Sequence, residues 1–222
     1  MKQWILLLKR ELTYFFFRNG YVLNILSLFF MLSFLLSLLI PSQEVGKAGI
    51  VILLVQLLTT TIFAHHVLQD DYKDSTLDQL KISGYGPIFL ITAKLFSYWI
   101  FNVSVLTIGT FVYLFFYKIP IEQFCLQFTV LFLMSILSTN ISVLSSSLTM
   151  RTEQNGLINL LISTPLSIAF LLYAASLLSQ TGLNSVEEIW LDLKVLTAFG
   201  FIIVPTTVFA CSYIISEIQC NG

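Results

Sequence analysis

The stretch from Tyr21 to Ile40, YVLNILSLFFMLSFLLSLLI, contains no charged side chain. About 20 apolar residues in helical form span the hydrocarbon core of a bilayer. Five more runs follow, at about 48–68, 88–117, 124–148, 157–178 and 195–215. In lipid every backbone amide must be satisfied within the protein, so a run of this kind folds as a helix. None shows the alternating pattern of an outer-membrane strand. Composition agrees: 57% of the residues are hydrophobic and 10% charged, where a soluble domain has about 25% charged. The sequence predicts an all-α membrane protein with six transmembrane helices, forming a single transmembrane domain over 1–222. The run at 88–117 is overlong and must tilt, kink or begin in the interface. The loops are too short for a soluble domain.

The N-terminal segment MKQWILLLKRELTYFFFRNG does not read as a signal peptide, because Lys9, Arg10 and Glu11 interrupt its apolar part and no small-x-small cleavage site follows. On a helical wheel Lys2, Gln3, Lys9, Arg10 and Thr13 share one side. Trp4, Ile5, Leu8, Leu12, Phe15 and Phe16 share the other, with Glu11 the misfit. This predicts an amphipathic helix over 1–19 lying in the membrane interface.

Lysine and arginine set the expected orientation. With the N-terminus in the cytoplasm, the inner segments carry Lys2, Lys9, Arg10, Arg18, Lys73, Lys81 and Arg151, and Lys94 lies near the inner end of the third span. The outer segments carry Lys47, Lys118 and Lys194. The positive-inside rule then puts both termini in the cytoplasm. The outer segment SQTGLNSVEEIWLDLK reads as a short interfacial helix with Trp190 at headgroup level.

The charges are concentrated in one inner loop, 69–87. Asp70, Asp71, Asp74 and Asp78 are four of the twelve acids in the chain, with Lys73 and Lys81 beside them. Ser75 with Asp78 three residues on has the form of a capping box. Leu77, Leu80 and Ile82 supply an apolar side, and Gly84, Gly86 and Pro87 supply a stop. The loop predicts a helix of about two turns across the inner ends of the second and third spans. So short a helix is marginal alone and needs the bundle or a partner to hold it. The residues alone fit either a solvated turn between two spans or a docking helix for a cytoplasmic subunit.

The run DDYKDSTLDQLKISGYGPIFLITAKLFSYW resembles the signature of the heme exporter protein B family (CcmB). The matching residues are Asp71, Tyr72, Asp74, Thr76, Leu77, Asp78, Gln79 and Leu80, then Ala93, Lys94 and Trp99. A second stretch, MRTEQNGLINLLISTPL, is similar to the family's cytoplasmic turn and fifth span through Arg151, Gly156, Pro165 and Leu166. Lys73 and Ser75 depart from the family's Glu and Gly, and a second proline after Pro165 is missing. The resemblance implies an ABC-2-type, permease-like membrane subunit, two copies per complex, in the bacterial inner membrane or an organelle's inner membrane. It implies a cytoplasmic ABC ATPase partner (CcmA-like) docked on a coupling helix at Ser75–Ser83. It further implies CcmC-like, CcmD-like and CcmE-like partners for handling heme. Heme is then cargo rather than a bound cofactor, and ATP binds the partner ATPase. The chain itself has no G-x-x-x-x-G-K-[ST] sequence to cradle ATP phosphates.

His65 and His66 lie near the end of the second span, and histidine is a frequent heme ligand. We read them as interfacial residues. Met31, Met134 and Met150 read as lipid-facing or packing residues. Cys125, Cys211 and Cys220 form no C-x-x-C motif. Lys94 has two readings: its ammonium reaches back to the headgroups, or it pairs with an acid such as Asp74 or Asp78. Gln56, Asn102, Asn140 and Asn159 are expected to hydrogen-bond between helices. The small-residue stretch STNISVLSSSLT suits close helix contact. Pro165 and Pro205 are expected to kink their spans. Nothing forms a catalytic set, so the chain reads as a non-enzyme. The alternative functional class is a different ABC-2-type exporter, for a lipid, glycan or drug; a membrane scaffold that only assembles its partners is a third.

Overall fold

The computed structural model describes residues 2–17, 21–39, 45–117, 120–150, 155–180 and 186–220. They form eight helices: α1 (Lys2–Phe17), α2 (Tyr21–Leu39), α3 (Val45–Lys73), α4 (Thr76–Ile82), α5 (Pro87–Tyr117), α6 (Ile121–Leu148), α7 (Asn155–Gln180) and α8 (Val186–Cys220). Five of these, α3 and α5 to α8, are long and apolar enough to cross a membrane. Within α2 the described apolar stretch is shorter, Asn24–Leu35.

Helices α3 and α6 form the centre. α3 packs on α2, α5, α6 and α7, while α6 packs on α3, α5, α7 and α8. The contact faces carry small or hydroxyl side chains. Ser138, Ser142, Ser145, Ser146 and Ser147 of α6 are all buried, as are Thr59, Thr60 and Thr61 of α3. Without a hydrophobic drive between helices in lipid, small residues that allow close backbone approach hold such a pair together. Gly109 of α5 is the tightest example. A Cβ there would overlap the ring of Phe29 from α2, which is fully buried.

Three of the four amides expected between helices make their bonds. Asn102 Nδ2 donates to Thr139 Oγ1 at 3.1 Å, joining α5 to α6. Thr207 Oγ1 of α8 donates to Asn140 Oδ1 of α6 at 2.7 Å. Asn159 Nδ2 of α7 donates to Thr61 O of α3 at 3.1 Å, and Asn159 receives the Ser145 hydroxyl from α6. The fourth, Gln56, is buried with neither amide atom partnered among the described residues.

Two boundaries differ from the sequence reading. The interfacial helix expected around Trp190 is not separate. It is the first part of α8, because no glycine or proline interrupts the chain from Val186 to Val195. Likewise the second apolar run does not stop at Leu68: α3 continues through Asp70 and Asp71 to Lys73. Helices α7 and α8 continue through Pro165 and Pro205, and both prolines are exposed. Met134 and Met150 are buried, whereas Met31 is exposed.

Candidate functional site

The charged loop begins inside α3. Asp74 N–H donates to Asp70 O at 3.0 Å and closes the last turn of that helix. Ser75 then adopts φ 55, a left-handed conformation, and the chain turns into α4. That differs from the extended backbone of a helix N-cap. The hydroxyl that ties the turn is that of Thr76, which lies 3.0 Å from Asp71 O and 2.9 Å from Asp71 Oδ1. The expected two-turn helix is present as α4. It ends as read: Gly84 sits at φ 84, and Tyr85 N–H donates to Leu80 O at 3.1 Å, a Schellman closure. Nothing would crowd a Cβ at Gly84, so backbone conformation is what calls for glycine there. Pro87 follows as the first residue of α5, where its missing N–H costs nothing.

The motif residues divide into two sets. Tyr72, Asp74, Asp78 and Gln79 are exposed. Asp71 and Leu77 are buried, Leu77 within the hydrophobic core, and Thr76 and Leu80 are partly buried. A short helix thus shows one side to the outside and sets Leu77 into the bundle.

Asp71 points at Lys94 of α5, which is 1% exposed. Lys94 neither reaches the surface nor pairs with Asp74 or Asp78. Its Nζ pairs with Asp71 Oδ2, lies 3.0 Å from Glu11 Oε2 and donates to Val67 O at 3.2 Å. An ammonium has three protons, and here three acceptors surround it. Glu11, the misfit on the wheel of α1, is 2% exposed. Its other oxygen lies 3.4 Å from Arg10 Nη1. Glu11 is therefore on the packed side of α1, in line with buried Leu7 and with Tyr14, one helical turn to each side. Tyr14 adds a second tie, donating from its hydroxyl to Asp70 Oδ2 at 3.2 Å.

The sequence signal for this cluster was available. An acid on the apolar side of an amphipathic helix and a lysine inside a span each need a partner of opposite charge. What the sequence lacked was the fold-back of α1 onto α5, which brings together residues 83 positions apart.

Trp99 has a packing role in this structure. Its Nε1–H donates to Ser135 Oγ of α6 at 3.2 Å, and its ring lies between Phe96 at 5.7 Å and Phe132 at 5.3 Å. Trp4 of α1 meets the same row through Phe96 at 5.8 Å. Pro165 is exposed on α7, outside the charged cluster. Arg151 lies outside the described residues, as do the side chains of His65 and His66. Among the described residues, no group of three or more His, Cys, Asp or Glu is placed to hold a metal ion.

A bundle of long apolar helices with a short charged helix at one corner is an all-α, multi-span membrane protein. The chain belongs to the CcmB protein family, whose model matches residues 2–216. Membership makes it a membrane permease subunit, of a kind that is non-catalytic, among the components of that family's complex. No curated protein matches the chain.

Proposed function

We propose that this chain is the membrane-spanning half of an ABC-type complex for c-type cytochrome biogenesis. Two copies pair with a separate cytoplasmic ATPase of the CcmA kind. ATP hydrolysis there drives heme export, or the release of a heme-loaded chaperone of the CcmE kind, with CcmC-like and CcmD-like subunits alongside. In this reading α2 is the first of six spans. α1 lies in the cytoplasmic interface, both termini are cytoplasmic, and α4 is the coupling helix.

The observation that carries the reading is the family match over residues 2–216. The exposure of Tyr72, Asp74, Asp78 and Gln79 around α4 supports the docking role. Leu77 is buried in the core, so it serves as the anchor that sets α4 on the bundle rather than as a contact for the ATPase. Asp71, held inside by Lys94, likewise acts from within. Movement of the ATPase subunits would then pass to the spans as rigid-body rocking.

The test is mild-detergent purification of the tagged chain from its native membrane, comparing wild type with Asp74→Lys/Asp78→Lys. Wild type should bring down an ABC ATPase together with a heme-handling membrane protein. The double variant should remain folded and lose the ATPase by at least tenfold. Undiminished ATPase recovery with the variant would remove α4 as the docking site. An ATPase recovered from wild type without heme-handling partners would favour an exporter of another cargo.

A further inference from the structure

The geometry points to Lys94 as a positioning residue that joins α4 to α1, so that a displacement of the short helix is passed to the N-terminal helix. This rests on the reading of α4 as the element the ATPase moves. The path is continuous in contacts. Thr76, the first residue of α4, bonds Asp71 Oδ1 at 2.9 Å. The other Asp71 oxygen holds Lys94. Lys94 holds Glu11 at 3.0 Å, and Glu11 meets half-exposed Arg10 at 3.4 Å. Four helices, α4, α3, α5 and α1, thus share one chain of charged and hydroxyl groups.

The cluster is better suited to coupling than to simple attachment. First, a buried ion cluster is a poor way to attach a helix. Its desolvation cost offsets its attraction, and packed apolar side chains of similar volume hold as well or better. Second, the cluster resists partial rearrangement. Lys94 Nζ has three acceptors, and both oxygens of Glu11 and of Asp71 are engaged. If α4 shifts and carries Asp71 with it, Lys94 either follows or leaves a charge buried without its partner. Paired arrangements that switch as units, rather than deforming gradually, are how small shifts travel through packed elements. A second tie from α1 to this corner is the Tyr14–Asp70 bond.

The experiment reads α1 from the far end of the path. Hydrogen exchange of the α1 amides is measured on the full chain in lipid nanodiscs, for wild type, Thr76→Val, Thr76→Ser and Glu11→Gln. Thr76 belongs to a different helix from the amides being read, so loosening of α1 by Thr76→Val reports transmission. Exchange across residues 2–17 should rise about five- to tenfold in Thr76→Val and in Glu11→Gln, and stay at the wild-type rate in Thr76→Ser, which keeps the hydroxyl. Unchanged α1 exchange in Thr76→Val, with α4 itself loosened, would overturn the inference. So would equal loosening by Thr76→Ser. This arm needs no ATPase, so it stands even if the docking reading fails. In the complex with its ATPase, ATP should alter α1 exchange in wild type and leave it unaltered in Thr76→Val. A response that survives in the variant would also overturn the inference.

Discussion

Two regions of this molecule hold helices together in opposite ways. Where α3, α6, α7 and α8 meet, the buried ties are neutral: Asn159 to Thr61, Ser145 to Asn159, Thr207 to Asn140. Where α1, α3, α4 and α5 meet, the ties are charged: Glu11, Asp71 and Lys94, all buried. Neutral bonds between membrane helices are individually weak, about 0.6 kcal/mol on average. They tolerate loss of one member because the hydroxyl groups have carbonyls of their own helix as fallback. Thr207 Oγ1, for instance, also lies 2.9 Å from Val204 O. The charged corner has little such fallback, half-exposed Arg10 beside Glu11 being the second cation. Removing one charge strands another. The seam suits a permanent scaffold, and the corner suits a place where the arrangement must be all or nothing.

The largest expected effect is therefore at Lys94. Lys94→Met leaves two buried carboxylates without their cation, and the cost should be about 3–5 kcal/mol. It reads as loss of monodisperse protein after detergent extraction and a large fall in thermal midpoint. The companion Glu11→Gln/Asp71→Asn/Lys94→Met removes all three charges and should regain most of that stability. If the triple variant is as unstable as the single, the corner is not held by charge balance and the contrast with the seam collapses. Next is Gly109→Ala, which forces the Phe29 ring off α5. Overpacking of this kind costs about 1–3 kcal/mol. The loss should be relieved by adding Phe29→Leu, measured as recovery of the thermal midpoint. Smallest is Thr207→Val in the neutral seam, with an expected cost of about 0.6 kcal/mol. A loss there as large as at Lys94 would erase the distinction between the two regions.

How far the sequence reaches is clearest helix by helix. The apolar runs at 88–117 and 124–148 appear almost unchanged as α5 and α6. Length and scarcity of charge, without the alternation of a barrel strand, are enough to define a helix in lipid. The ends of α3 and α8 ran past the apolar residues. Helix propensity does not stop at the edge of hydrophobicity, and neither QDDYK nor EEIWLDLK contains a breaker. The stop after α4 was legible because Gly84 leaves a backbone signature. The N-terminal turn was legible in kind but not in detail: a serine was expected to cap, and the neighbouring Thr76 hydroxyl ties the turn instead. Asn102, Asn140 and Asn159 could be assigned bonds between helices from their polarity alone, whereas their partners depend on packing. The charge cluster was hidden for the same reason. Glu11 looked like an error in a pattern because a helical wheel carries no information about what folds back onto it.

The three-fold contact of Lys94 also bears on cargo. A propionate or any other carboxylate travelling through the complex would look for a cation inside the membrane, and Lys94 is the buried one among the described residues. Its ammonium already lies against Glu11, Asp71 and the Val67 carbonyl. A passing anion would have to expel one of two carboxylates fixed to the protein, each at far higher local concentration than any free competitor. The lysine is a fastener closed on its own chain, and no anion reaches it without opening that cluster.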